Sequence, residues 1–338
     1  MKRVSKRPTH SHDVVTVGSA VLDSYLSSAV FELERSSSAP SGWNACVPLG
    51  VKIPLSSLVC DVGGGATNAA VTFSRLGARV ATVCRVGADL HGDFLVQQMK
   101  KEGVQTPLIQ RDHKQSTGQS IILVADIGER TVMTHRGASA DLEAKQIPWT
   151  KLSPRWFYVT SLGGDLGLFE LLLNRAERVG ARVFWNPGEH ELEKGMTRLL
   201  PLIRRVDVFN VNKEEAALLT HKPARHLSAM IQLLGDAPKI ALLLSDGPKG
   251  AYLMSRGCAW HCPALPGKPI NTTGAGDALG SGFVAGFMHT CDLSIGLKLG
   301  MQNAHSVMTH MGAKAGILRA WPSEKELTRI KITPAKFS

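Results

Sequence analysis

The sequence predicts a doubly wound α/β fold, with a mostly parallel sheet and helices on both faces. Three observations predict it. Short, nearly continuous apolar runs recur along the chain, as strands buried on both faces do. Amphipathic helical patterns fall between them, which is the alternation of a wound parallel sheet. The chain has 338 residues, 43% of them hydrophobic, enough for a large core without disulfide or metal staples.

The elements follow in order. "DVVTVGSAV" (13–21) reads as the first strand. "ATNAAVTFSRLG" (66–77) is helical, and the strand "GARVATVCRVG" follows it. "DFLVQQMKKEGV" places Phe94, Leu95, Gln98 and Met99 at helical spacing. "RWFYVTSL", "ARVFWNPG", "VDVFNVN" and "KIALLLSDG" are four further buried strands. The helices "LGLFELLLNRAERVG", "GMTRLLPLIRR" and "HLSAMIQLLGD" lie between them. Two segments break the pattern. Residues 20–59 hold short alternating runs with Pro and Ser and no good helix. Residues 117–136 read as a β-hairpin turning near Ile127 and Gly128. Together they predict a small β lid on one α/β domain at 13–330, preceded by a disordered basic tail at 1–12.

Composition excludes several classes. No run reaches the ~18 apolar residues of a membrane span. The basic start "MKRVSKRPTHSH" has no apolar stretch behind it, so a cytoplasmic protein is expected. The six cysteines are scattered; "CAWHC" (258–262) is the close pair, and no second cluster completes a zinc site. The net charge of +11 is dispersed apart from the tail, without the clustered, aromatic-interleaved face of a nucleic-acid binder. A basic surface also suits a protein that handles anions.

One stretch carries chemistry: "NTTGAGDALGSGF" (271–283). A helix N-terminus offers unpaired N–H groups and partial positive charge. Gly274, Ala275 and Gly276 keep side chains away, so an anion can reach the backbone. Asp277 then stands at the edge of an anion cup. An acid is a poor neighbour for an anion unless a hydroxyl must lose its proton while attacking phosphorus. Thr273 to Asp277, "TGAGD", alone also fits an ordinary helix start, where Asp is favourable. A second stretch, "VGGGATNAAVTFSRLG" (62–77), brings three glycines and then Asn68, a donor and acceptor for a polyhydroxylated ligand. Its spacing is not that of a dinucleotide fingerprint.

These two stretches, in this order and far apart, resemble the two signatures of the ribokinase-like (PfkB) carbohydrate kinases. The resemblance covers about residues 13–320. It implies ATP- and Mg2+-dependent phosphorylation of a hydroxymethyl group on a sugar or nucleoside. It makes Asp277 the base and the amides of Gly274, Ala275 and Gly276 the anion hole. By the same resemblance Asn212 and Glu215 of "VNKEEA" position magnesium and phosphates, and Ser245, Gly247 and Gly250 of "SDGPKG" form a nucleotide-binding turn. Asn303 is matched to a position near the adenine. Asp23, Gly64, Gly65 and Asn68 are matched to sugar contacts. The β segments are matched to a lid that also mediates dimerisation.

There are departures. Asn271 stands where the motif usually has Asp, which weakens the monovalent-cation site to which it and Thr273 would belong. Val21 and Gln119 also differ from ribokinase, and residues 36–46 enlarge the lid. The alternatives are a nucleoside kinase, with Phe31, Trp43 or Phe157 as a shelf for a base, and a non-catalytic sugar-binding protein on the same fold. The second would have lost the base or the cup, and the sequence keeps both.

Overall fold

The computed structural model describes residues 10–28, 32–39, 42–125 and 130–337. The chain starts with β1 (Val14–Val17), the strand next to one edge of the main sheet. It then leaves the sheet through β2 (Val21–Ser27), β3 (Glu32–Arg35), β4 (Trp43–Cys46) and β5 (Ser57–Gly63). It returns through α1 (Gly65–Arg75) and β6 (Val80–Val83). Next come β7 (Arg85–Gly87), α2 (Leu90–Lys101), β8 (Gln110–Asp112), β9 (Gly118–Val124) and β10 (Arg130–His135). The wound half runs β11 (Trp156–Val159), α3 (Leu166–Val179), β12 (Arg182–Trp185), α4 (Glu189–Leu192), α5 (Met196–Ile203), β13 (Val208–Asn212), α6 (Lys213–Thr220) and α7 (Leu227–Leu234). The chain ends with β14 (Ala241–Ser245), β15 (Ala251–Ser255), β16 (Cys258–Cys262), α8 (Ala275–Thr290), α9 (Leu293–Met308), α10 (Glu324–Arg329) and β17 (Thr333–Pro334).

Among the described residues the main sheet has nine strands in the order β17-β16-β15-β14-β13-β12-β11-β1-β6. From β6 to β14 every pairing is parallel, and from β14 outward the three remaining pairings are antiparallel. The strands read as apolar runs because both faces are covered. Val14, Trp156, Val208 and Ala241 face one core cluster with α1, α8 and α9, while Val15, Phe157, Phe209 and Leu242 face the other with α3, α5 and α7. This is the period-two alternation of a strand expressed as two cores rather than as core and solvent. On the first face Tyr158 stacks on Phe184 at 4.2 Å, and on the second Phe169 stacks on Trp185 at 4.1 Å.

A second sheet, β10-β9-β2-β5, stands apart from the main one. It joins parts of the two segments that break the α/β pattern: β2 pairs antiparallel with β5 and parallel with β9. β9 and β10 form the hairpin, and its expected turn at Ile127 and Gly128 lies outside the described residues. Residues 1–9 of the basic tail also lie outside them.

Helix α8 is held by unusually close contact with α9. A Cβ added to Gly282 would lie 2.9 Å from the Gly300 Cα, and one added to Gly286 would lie 2.9 Å from the Gly296 Cα. Backbone therefore meets backbone, and the start of α8 has little freedom to drift.

Candidate active site

The loop before α8 and the first turn of α1 meet at one point. Gly274 caps α8 with φ 79°, and an added Cβ there would lie 2.7 Å from the Ala313 Cβ. Only glycine fits that left-handed, crowded position. Asp277 follows in the first turn, and its Oδ2 accepts the Asn68 Nδ2–H at 2.8 Å. Burial pushes the Asp277 pKa up, while the Asn68 amide and the charge of Lys314 pull it back. The Gly276 side of the cup is open: an added Cβ would meet nothing within 4 Å. Ala275 donates its N–H to the Thr272 carbonyl at 3.3 Å, a bond long enough to yield to a better acceptor.

Asn68 is 4% exposed, and its Oδ1 accepts from the Lys314 ammonium. Lys314 also donates to the Val62 carbonyl and, at 3.1 Å, to Thr67 Oγ1. Its side chain is buried, which pulls the ammonium pKa down to about 8 against the opposing charges of Asp61, Asp23, Asp277 and Glu102. Lys314 is absent from the sequence-based set of site residues. So is Gly63. Asp23 on β2 is 5% exposed, and a Cβ on Gly63 would lie 2.1 Å from Asp23 Oδ2. The first glycine of the run therefore makes room for that carboxylate. Burial raises the Asp23 pKa, and Ser120 and Lys314 lower it. Gly64 caps α1, and the Gly65 N–H donates to Ser19 Oγ at 3.1 Å. Asp23, Gly64, Gly65, Asn68 and Asp277 thus share one neighbourhood.

On the other side of the cup lies a cavity of about 450 Å3. Ser245, Gly247 and Gly250 line it, as do Ala275, Gly276 and Leu279 of α8. Met301, Ala304, His305 and Met308 close it from α9. Asn303 does not line it, which corrects its expected place beside an adenine. Its side chain is fully buried: Nδ2 donates to the Ala278 carbonyl at 2.9 Å and Oδ1 accepts the Leu318 N–H at 3.0 Å. It ties α9 to α8, and its neighbours one and two positions away face the cavity instead.

Asn212 and Glu215 form a capping box at the start of α6, each accepting the other's backbone N–H at 2.8 Å. Burial pushes the Glu215 pKa up to about 7 against the bond from the Asn212 N–H, and the charge of Asp277 adds to the rise. Asn271 turns its Oδ1 to the Thr273 N–H at 3.0 Å. That uses one of the two lone pairs of the amide oxygen. From the small sheet, Arg130 Nη1 reaches across to the Thr272 hydroxyl in the cup loop. The expected shelf for a nucleobase fares poorly. Phe157 is fully buried in the main sheet, Trp43 lies under the Arg35 guanidinium at 4.1 Å, and Phe31 is outside the described residues.

The arrangement is a carboxylate at a helix N-terminus, between a polar wall and an apolar cavity. A family model for pfkB family carbohydrate kinases matches residues 43–320. The chain belongs to that family. As a PfkB carbohydrate kinase it is a phosphotransferase with an alcohol group as acceptor. It is 24% identical over 260 residues to a ribokinase of Haemophilus influenzae, covering 75% of this chain and 83% of that one. Its fold matches a putative ribokinase II from E. coli solved in complex with ATP and Mg2+, with a TM-score of 0.73, 17% identity and coverage of 90% and 96%. It also matches the adenosine kinase of Sinorhizobium meliloti, with a TM-score of 0.73, 21% identity and coverage of 90% and 95%. Sugar and nucleoside kinases therefore both stand among the proteins this PfkB kinase is similar to. Among the described residues no helix is long and apolar enough to cross a membrane.

Proposed function

We propose that this PfkB kinase transfers a phosphoryl group from ATP to a hydroxymethyl group of a sugar, with Asp277 taking the hydroxyl proton. The observation that carries the reading is the position of Asp277. Its carboxylate touches Asn68 on the polar wall, while Ala275 and Gly276, the two residues before it, line the 450 Å3 cavity. A hydroxyl on the wall side and a phosphate at the N-terminus of α8 then meet at the base. Amides of the cup stabilise charge on the transferring group, and the carboxylate accepts the proton.

The cavity side suits ATP. Apolar side chains of α9 offer area to a base, and the turn at Ser245, Gly247 and Gly250 lets phosphates approach the backbone. Mg2+ would supply positive charge to the phosphates. Among the described residues no group of three His, Cys, Asp or Glu side chains is arranged to hold a metal. Asn212 and Glu215, at the start of α6, would orient a magnesium ion bound with the phosphates, and Glu215 feels the charge of Asp277. Monovalent-cation activation is weak in this reading, because Asn271 lacks the charge of Asp.

The polar wall favours a sugar over a nucleoside. Asp23, Asn68 and glycine backbone offer directed hydrogen bonds, while Phe157 is buried and Trp43 is engaged by Arg35. The small sheet acts as a lid, contributing Asp23 to the wall and Arg130 to the cup. Leu58, Ile121, Val132 and Met133 are exposed on it and fit a homodimer through the lid, which sedimentation would detect. An ATP-consumption screen over sugars, sugar phosphates and nucleosides tests the assignment. Turnover of a nucleoside above every sugar would overturn the sugar reading, and tight sugar binding without turnover would make the protein a sensor. Hydrogen exchange in 20–28 and 118–124 should slow when the acceptor binds; full protection by ATP alone would assign the lid to the nucleotide.

A further inference from the structure

Lys314 lies in the turn after α9 and is 5% exposed. An ammonium has three donors. All three are taken, by the Val62 carbonyl at the end of β5, by Thr67 Oγ1 and by Asn68 Oδ1. None is left for a substrate, so the residue acts on the site through its neighbours. A carboxamide can sit either way round, and only one way presents its N–H to Asp277. Lys314 decides between them. It is a pure donor, so a flipped Asn68 would set an NH2 group against the ammonium and the amide oxygen against the Asp277 carboxylate. The turn that carries it is itself pinned. Arg75 of α1 donates to the Lys314 carbonyl at 2.9 Å while paired with Glu102 at 2.7 Å.

We propose that Lys314 is a positioning residue for phosphoryl transfer: its ammonium locks the Asn68 carboxamide in the orientation that donates to Asp277, and it brings a positive charge to bear on that carboxylate. The proposal rests on Asp277 being the base. The charged and titratable groups around Lys314 are Asp23 from β2, Asp61 from β5, Arg75 from α1, Glu102 after α2, Asp277 from α8 and the Cys84 thiol. Three aspartates converging on one lysine keep it protonated despite its burial. In return its charge favours the ionised form of Asp277, the form a base needs. A cavity of about 200 Å3 bordered by Asp61, Arg75, Glu102 and Lys314 leaves room for a different side chain at 314.

The test uses K314M and K314Q, each alone and combined with N68A, assayed with Mg-ATP and D-ribose or D-fructose, whichever the acceptor screen turns over faster. K314M should lower kcat at least tenfold and leave the KM for ATP within threefold. The acid limb of its kcat/KM profile should move to higher pH, because the charge that favours ionised Asp277 is gone. On the pH plateau above the acid limb, where Asp277 is ionised in every variant, the kcat of the K314M/N68A double variant should be within threefold of that of N68A, since there both substitutions break one relay. K314Q keeps a donor without the charge, so it should shift the acid limb and lose less turnover. A folded K314M with turnover within threefold of wild type, an unmoved acid limb, or losses that multiply with those of N68A would overturn the proposal. If K314M does not fold, the same readouts on K314Q decide. D277N separates the two levels: if it keeps wild-type turnover, the reading of Asp277 falls, and if it is inactive beside a silent K314M, only the role of Lys314 falls.

Discussion

The two sides of the cup before α8 are built on opposite terms. The wall formed by β2, β5 and the start of α1 is charged and tightly tied, with Asp23 and Lys314 each about 5% exposed and Asn68 held at both ends. The cavity on the other side is roomy and lined by Met301, Ala304, Met308 and glycine turns. The first can recognise a partner only by matching directed hydrogen bonds, where a misplaced group leaves a buried polar atom unsatisfied. The second recognises by shape and apolar area, which tolerates small change. Substitutions on the wall should therefore be severe and specific to the acceptor, and those in the cavity mild and specific to the nucleotide.

The largest effect is expected at the point where the sides meet. Asp277→Asn should cut turnover by about 10²–10⁴, the usual worth of a positioned general base, with ATP binding intact. Turnover within threefold of wild type would remove Asp277 from that role. Next, Gly63→Ala places a methyl 2.1 Å from Asp23 Oδ2 and must displace the carboxylate. The acceptor KM should rise at least about tenfold while the ATP KM stays put, since a broken buried hydrogen bond costs 1–3 kcal/mol. An equal rise for both substrates would dissolve the contrast between wall and cavity. On the cavity side, Met301→Ala should raise the ATP KM by only about three- to tenfold, or about 1 kcal/mol of lost apolar contact. A change in acceptor KM instead would place Met301 on the wrong side.

Smaller still is the response to potassium against a bulky organic cation at equal ionic strength. It should stay below about tenfold, because a unit charge at ~4 Å is worth about 4 kcal/mol at a dielectric of ~20 and Asn271 does not supply it. Asn271→Asp should increase the dependence; no change would mean that position 271 does not face a cation site. The smallest effect is on stability. Glu215 keeps its proton up to about pH 7 in the native chain, against 4.5 ordinarily, so the native state binds more protons between those values. Stability therefore falls as pH rises through that window. Glu215→Gln keeps an oxygen for the Asn212 N–H without the buried charge. It should raise Tm by a few degrees at pH 8 and leave it unchanged near pH 4. Equal Tm shifts at both pH values would show that the charge is not the cause.

Most of the fold was legible in the sequence because parallel strands buried on both faces leave continuous apolar runs, as at Val14–Val17 and Ala241–Ser245. The antiparallel edge β15 to β17 was not, since β16 (Cys258–Cys262) is a mixed, partly exposed segment and β17 (Thr333–Pro334) is too short to show a period. The short parallel pair β7 and β8 also escaped, because three residues are too few to show a period. In the site, the glycine runs and Asp277 were legible through the backbone geometry they require. Asn303 was misplaced because a helix's sequence does not say which face meets a ligand; the facing residues are Met301, Ala304 and His305. Lys314 was invisible for a different reason. A lysine in "GAKAG" reads as a solvated surface residue, and its burial comes from α1, β5 and α8, which are distant in the chain.

The excursion β2 to β5 leaves the main sheet after β1 and comes back within a few ångströms of where it left. Ser19 at its exit accepts the Gly65 N–H at its return, at 3.1 Å, and the Ser19 carbonyl lies 2.5 Å from where a Gly64 Cβ would be. The excursion is thus stapled at its neck. Closure entropy of a stapled loop grows only slowly with its length. Residues can accordingly be gained or lost at the far tip, around 47–55, without moving Asp23 or Gly63 at the base. The neck preserves one reaction while the tip is free to diversify, so a lineage of such enzymes can change the shape of what it encloses, or which surface it presents to another copy of itself, without redesigning the chemistry.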